Sequence, residues 1–269
     1  LPQVAAGVAE TRTVWDVWQV NWKPILCMVF ATGSWGPLFY VNFVWITSYQ
    51  VDMVNPSLKH AQVTTMIILL ILSVASPLMG QYVDRGATTR DGKGFYEYVS
   101  ITLVRSYSAV AVLAVPAYLA MASGDPTLAF FGQLLLVPPA ATAGAVTGAL
   151  IASSFSISRR YVSCALTYNI GQCLFSSSAL VVVTAMAQDW DTWTPGIYIS
   201  ALAGMCALST YLSRDAVQQA CEQSTTTEEA LADALRNTFS DRATLAQATA
   251  AEPTENPMTA DSAVGEDTP

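Results

Sequence analysis

Few side chains in this sequence could carry out covalent chemistry. His60 is the sole histidine, and no Asp or Glu falls inside any long apolar run. A hydrolase working at membrane depth needs a Ser–His or paired-Asp arrangement, so the chain is read as a non-enzyme with no catalytic residue, no metal site and no cofactor. What it offers instead is rings and amides in apolar surroundings. Trp35, Phe39, Asn42, Trp45 and Tyr49 recur at steps of three or four, which places them on one helical face. Such a face could hold a quaternary ammonium or a zwitterion by cation–π attraction; ordinary helix packing with an interfacial aromatic belt gives the same pattern. Tyr168, Gln172 and Ser176 share a second face, with Asn169 beside it. Amides and hydroxyls in hydrocarbon must find partners, either on a neighbouring helix or across a wet cavity on a solute. Gln133 lies in a third stretch, among Gly132, Pro138-Pro139, Gly144 and Gly148. There a broken helix of the kind that marks transporter sites and a small-residue helix contact are both open.

The elements that must position these residues follow from composition. Of 269 residues, 52% are apolar and only 12% charged, about half the charged share usual for a soluble domain, which excludes a soluble globular enzyme as the starting class. A helix needs about 20 mostly apolar residues to cross hydrocarbon. Six runs qualify: Pro24–Tyr49, Gln62–Val83, Ile101–Ala122, Thr127–Phe155, Val162–Ala187 and Thr194–Leu212. The reading is an all-α membrane protein: an interfacial lead-in helix over 1–23, a six-helix bundle over 24–212 and an acidic tail over 213–269. Within the tail, Thr225-Thr-Thr-Glu228 resembles a capping box that opens a short helix over about 226–248, and the remainder reads as disordered.

Charge is partitioned between body and tail. Residues 1–212 hold nine Lys/Arg against nine Asp/Glu, so the whole net charge of −8 belongs to the tail. No basic groove for nucleic acid exists. Arg12, Lys23, Arg85, Arg90, Lys93, Arg159, Arg160 and Arg214 fall on the side of the N-terminus, with Arg105 snorkelling back toward it, while the opposite side has Lys59 alone. The positive-inside rule then puts both termini in the cytoplasm of a multi-pass protein, with the plasma membrane as the expected location. Trp15, Trp18 and Trp22, and Trp190 and Trp193, suit the two interfacial belts. Four cysteines read as small packing residues, and Cys221 as a candidate for palmitoylation. The chain opens on Leu1 without a charged n-region or cleavage site, and a truncated start is expected.

Two stretches carry a family resemblance. The second apolar run ends Gly80-Gln-Tyr-Val-Asp84-Arg85-Gly86, which resembles the G-x-x-x-D-R cytoplasmic loop of the major facilitator superfamily. The run Phe155-Ser-Ile-Ser-Arg159-Arg160-Tyr161-Val-Ser-Cys-Ala165-Leu166-Thr-Tyr168-Asn169-Ile170-Gly171 resembles the loop and eleventh helix of the metabolite–proton symporters, the proline/betaine and dicarboxylate transporters. Pro116 in Leu113-Ala-Val-Pro-Ala-Tyr-Leu119 fits their ninth helix. The resemblance covers about 14–212 and implies the C-terminal six-helix half of such a transporter.

On that resemblance the first, second, fourth and fifth runs line a cavity, and the third and sixth are peripheral. It implies solute contacts among Trp35, Phe39, Asn42, Trp45, Gln133, Tyr168, Asn169 and Gln172, and a cytoplasmic gating role for Gly80, Asp84, Arg85 and Arg160. The expected function is proton-coupled symport of a small organic solute such as proline or betaine, powered by the proton gradient. Its partners would be the bilayer, the solute and a missing N-terminal six-helix half in the same or another chain. A dicarboxylate symporter and a non-transporting receptor or scaffold derived from the same fold are the alternatives.

Overall fold

Backbone N–H and C=O groups cannot be left unpaired in hydrocarbon, and a helix pairs them within one segment. The computed structural model describes residues 14–55, 61–87, 92–156 and 159–219, together with 222 and 226, and among them there is no strand. Six helical spans are long and apolar enough to cross a bilayer: span 1, Asn21–Val54; span 2, Ala61–Ala87; span 3, Gly94–Ala122; span 4, Pro126–Ser153; span 5, Arg160–Asp189; and span 6, Pro195–Gln219. The chain is an all-helical, multi-pass membrane protein. It divides into two units, Leu1–Gln223 and Ser224–Pro269. Thr226 apart, the second lies outside the described residues, as do Arg12, Lys59, His60, Arg90 and Cys221.

The helices run past the apolar stretches that announce them. Val14–Thr32 is one helix, so the tryptophans of the lead-in stand on the same rod as the start of span 1. Ala61–Ala87 keeps Gly80, Asp84 and Arg85 within its last two turns, and the next helix begins at Gly92. Most of the charged loop expected between Asp84 and Ser100 is therefore helical. Hydropathy marks where a chain lies in hydrocarbon, whereas helical hydrogen bonding continues into the interface, where charged side chains are hydrated.

The spans fall into two kinds. Spans 2 and 3 are continuous helices, despite Pro77 and Pro116, and span 6 is helical throughout. Spans 1, 4 and 5 are interrupted. Span 1 turns at Gly33-Ser34, restarts over Trp35–Phe39, widens to a π-helix over Tyr40–Trp45, and does so again over Tyr49–Val54. Span 4 ends one helix at Leu135 and begins another at Val137. Pro138 and Pro139 account for this, because neither has an N–H to continue the ladder. Span 5 carries a π-helix over Gln172–Ser176.

Two buried apolar clusters lie one above the other. One contains Ile25, Met28, Leu103, Tyr107 and Leu150; the other contains Leu38, Tyr49, Tyr118, Leu136 and Val183. Trp35 packs against both, so the turn in span 1 stands at the level where the clusters meet.

Candidate functional site

The interruptions of spans 1 and 5 meet. Gly33 and Gly36 lie against the π-helix of span 5 so closely that a Cβ on Gly33 would overlap the Phe175 ring. One on Gly36 would overlap Gln172 Oε1 and Ser176 Oγ. Here glycine is needed for close approach. Ser176 donates to Gln172 Oε1 at 2.6 Å, and Phe175 meets Phe30 edge to face at 5.8 Å. Further along, Trp45 Nε1 donates to Thr184 Oγ1 at 3.0 Å, and Tyr49 donates its hydroxyl at 2.7 Å to the carbonyl of Thr192, in the turn that follows span 5. Toward the other end Asn21 Nδ2 reaches Ser163 Oγ at 3.4 Å. Span 5 is thus fastened to span 1 along its length by polar bonds and small-residue contacts, the forces available when lipid removes the hydrophobic difference between neighbours.

Spans 1, 3 and 4 meet at a buried polar knot. Asn42, in the first π-helix, is 1% exposed and Gln133 is fully buried. Gln133 Nε2 donates to the Asn42 carbonyl at 2.9 Å, Tyr118 donates to Asn42 Oδ1 at 3.1 Å, and Asn42 Nδ2 donates to the Leu38 carbonyl at 2.8 Å. A π-helix shifts the backbone register away from the i→i−4 pattern, and an amide from span 4 here binds a carbonyl within the shifted stretch. Gln133 Oε1 has no partner. Seven residues before Asn42 on span 1, the Trp35 indole occupies the place of a side chain at Gly144 of span 4.

The expected solute residues therefore separate into three groups. Asn42 and Gln133 are brought together and bonded to each other. Trp35, Phe39 and Trp45 are half-buried: Trp35 and Phe39 lie 6.1 Å apart, and Trp45 stacks on Tyr49 at 5.0 Å. Phe39 also meets Phe43, four residues on, at 5.7 Å, and Tyr49 meets Tyr118, which bonds Asn42, at 5.9 Å. On span 5, Tyr168 and Asn169 are exposed and Gln172 is half-buried; Asn169 Nδ2 is held by the Ala165 carbonyl of its own helix at 2.8 Å.

Among the motif residues, a Cβ on Gly80 would lie 3.9 Å from Ala145 of span 4, an ordinary contact that an alanine could make. Asp84 and Arg85 are exposed at the end of span 2, and Arg160 Nε donates to the Phe155 carbonyl at 3.3 Å, tying span 5 to the end of span 4. Of the Gly144-x-x-x-Gly148 pair, only Gly144 takes a neighbour; nothing comes within 4 Å of a Cβ at Gly148.

Tyr118, Gly33 and Gly36 are the site-building residues that residue-type reasoning passed over. Tyr118 carried a signal, since a phenol in an apolar run must find a partner for its hydroxyl. So did the Gly33-Ser-Trp-Gly36-Pro37 string, which concentrates helix interrupters in the middle of an apolar run.

Chemically, the seam of spans 1, 4 and 5 presents amides, hydroxyls and aromatic rings. Among the described residues no group of three or more His, Cys, Asp or Glu could hold a metal ion. The acids stand at span ends. Asp125 caps span 4 by accepting from the Leu128 and Thr127 backbone N–H groups at 3.2 and 2.7 Å, and those two bonds hold its carboxyl below the ordinary 3.8.

No family model matches the chain, and no solved structure matches it. Among curated proteins it is similar to the ectoine/proline transporter ProP of Corynebacterium glutamicum, at 22% identity over 192 residues. The match takes in 70% of this chain and 36% of that protein, so the chain spans about a third of the length of the relative it matches.

Proposed function

We propose that this chain is the C-terminal six-helix half of a secondary transporter of the major facilitator type, which moves a small zwitterionic solute such as proline, betaine or ectoine with protons. The observation that carries the reading is the convergence of helix interruptions. Gly33–Gly36 of span 1 faces the π-helix of span 5, and Asn42 of span 1 takes the Gln133 amide from just before the break in span 4. Discontinuous helices meeting near mid-membrane are the usual setting of a transport site, because irregular backbone in lipid is tolerated where it is buried in protein or lines a cavity. Similarity to a transporter of ectoine and proline favours a zwitterion, and exposed Tyr168 and Asn169 with half-buried Gln172 are the polar groups in position to meet it.

On this reading the coupling carboxylates belong to the other half, since the described acids of this chain lie at span ends and not at mid-depth. The ends of the spans carry the charge that sets orientation: Lys23, Arg85, Arg159, Arg160 and Arg214 on one side, and Asp52, Asp125, Asp189 and Asp191 on the other. The first side is the cytoplasmic one by the positive-inside rule, and the plasma membrane is the proposed location.

The test is uptake of labelled proline, betaine and a dicarboxylate into vesicles that contain the product of the whole coding sequence. Proline or betaine uptake accelerated by an inside-alkaline pH gradient is the expected result. Uptake of the dicarboxylate alone would transfer the assignment to organic acids, and no uptake of any of the three would overturn the transport reading.

A further inference from the structure

Spans 3 and 4 leave a crevice of about 490 Å³ between them. Its walls are Pro116 and Ala120 of span 3 and Leu128, Phe131, Leu135 and Pro138 of span 4. Two features of the backbone make it. Gly132 lets the helices approach at one point, where a Cβ would lie 2.7 Å from the Ala117 carbonyl. Beside that point, span 4 ends its first helix at Leu135 and restarts at Val137, and Pro116 gives span 3 no N–H at the same level. Phe131, Leu128 and Leu135 are exposed at the mouth.

Length and lining identify the occupant. From Leu128 to Pro138 the crevice follows ten residues of span 4, about 15 Å at the helical rise. That is half of a hydrocarbon core of about 30 Å, so it runs from one membrane surface, at the Ser123–Pro126 turn, to mid-membrane. Water would need two to four polar partners, and the lining side chains supply none. The turn above the mouth carries Asp125, fully exposed, and by sequence that side sets Asp52, Asp125, Asp189 and Asp191 against Lys59 alone. An anionic headgroup would be repelled there.

We infer that this crevice binds one acyl chain of a zwitterionic phospholipid from the leaflet on the Asp125 side, with the headgroup at the Ser123–Pro126 turn. The site lies on the opposite side of span 4 from the Asn42–Gln133 bond and is independent of the transport reading.

The experiment uses the product of the whole coding sequence, reconstituted in vesicles with phosphatidylcholine that carries a photoreactive diazirine midway along one acyl chain. After irradiation, the labelled positions are mapped by mass spectrometry. Label concentrated in 116–120 and 128–138, several-fold above that in the exposed stretch 66–78 of span 2, is expected. Ala120→Trp and Leu135→Trp fill the crevice from opposite walls, and each should reduce the label to the span 2 level while helicity by circular dichroism is retained. Val112→Trp, on an exposed part of span 3 outside the crevice, should leave it unchanged. Even labelling of spans 2 and 4, or labelling indifferent to both filling variants, would overturn the site. Stronger labelling from a phosphatidylglycerol probe would overturn the headgroup assignment.

Discussion

Spans 1 and 2 are neighbours in sequence and opposites in structure. Span 2 has the highest mean hydropathy of the six, 2.1, yet only 17% of its window is buried; span 1 has 1.4, and 61% of its window is buried. In water the ranking would be reversed. In a bilayer the tails are as apolar as leucine, so burial falls to the helices that offer glycines for close approach and polar groups for mutual bonds. Span 1 offers both. Through its π-helices it bonds to span 3 at Tyr118, to span 4 at Gln133 and, by Trp45, to span 5 at Thr184. Span 2 presents Met66, Leu70, Val74, Leu78 and Tyr82 outward at steps of four.

That contrast can be broken or sharpened by substitution. The largest effect is expected at Gly33. Gly33→Val drives a side chain into the Phe175 ring and should cost ~1–3 kcal/mol of stability in a detergent-resistance or thermal-unfolding assay, as overpacking does. Gly148→Ala, in open space, should stay within about 0.5 kcal/mol. Equal effects would mean that the span 1 to span 5 seam is not a close contact.

Next comes the polar knot. Gln133→Leu removes the donor to the Asn42 carbonyl and should cost about 1–2 kcal/mol, in the range for a buried group left without its bond. In a double-mutant cycle with Tyr118→Phe, a coupling of at least about 0.5 kcal/mol is expected for residues that share one network. Strict additivity would show that Gln133 and Tyr118 act on Asn42 separately. A smaller effect is expected on span 2, where Leu70→Ala should change stability by less than about 0.5 kcal/mol; a larger loss would show that this face is covered.

The smallest effect belongs to Asp125, and it depends on pH. Its native pKa is depressed by the Leu128 and Thr127 N–H groups, so its contribution is full above the unfolded value near 3.8 and is lost as pH falls through the lower native value. The stability difference between the wild type and Asp125→Ala, followed by thermal unfolding, should therefore be present at neutral pH and shrink below 3.8.

Much of this arrangement is legible in the amino-acid order, and the illegible part has one physical cause. The spans are legible because hydrocarbon demands long apolar runs, and no other class of protein supplies six of them. The break in span 4 is legible from Pro138-Pro139, since a residue without an N–H must interrupt the ladder. The π-helices are not. A π-helix changes the residues per turn without any obligatory residue type, so nothing in Tyr40–Trp45 announces that the Asn42 carbonyl and amide are taken up by Gln133 and Tyr118. Gln172 and Ser176 were legible as a face one turn apart, but the glycines they press on, Gly33 and Gly36, depend on which spans are neighbours. Hydropathy carries no information about that.

The central claim is that the polar stretch of span 5, beside the interrupted part of span 1, meets the solute. It is tested most directly by solute protection of a cysteine at Tyr168. In a Cys173→Ser background of the whole protein, Tyr168→Cys and Val181→Cys are alkylated with a membrane-permeant maleimide in the presence and absence of saturating proline or betaine. Slower modification at position 168 with solute present, and an unchanged rate at the exposed position 181, is the predicted result. Equal rates at position 168 with and without either solute would contradict the claim.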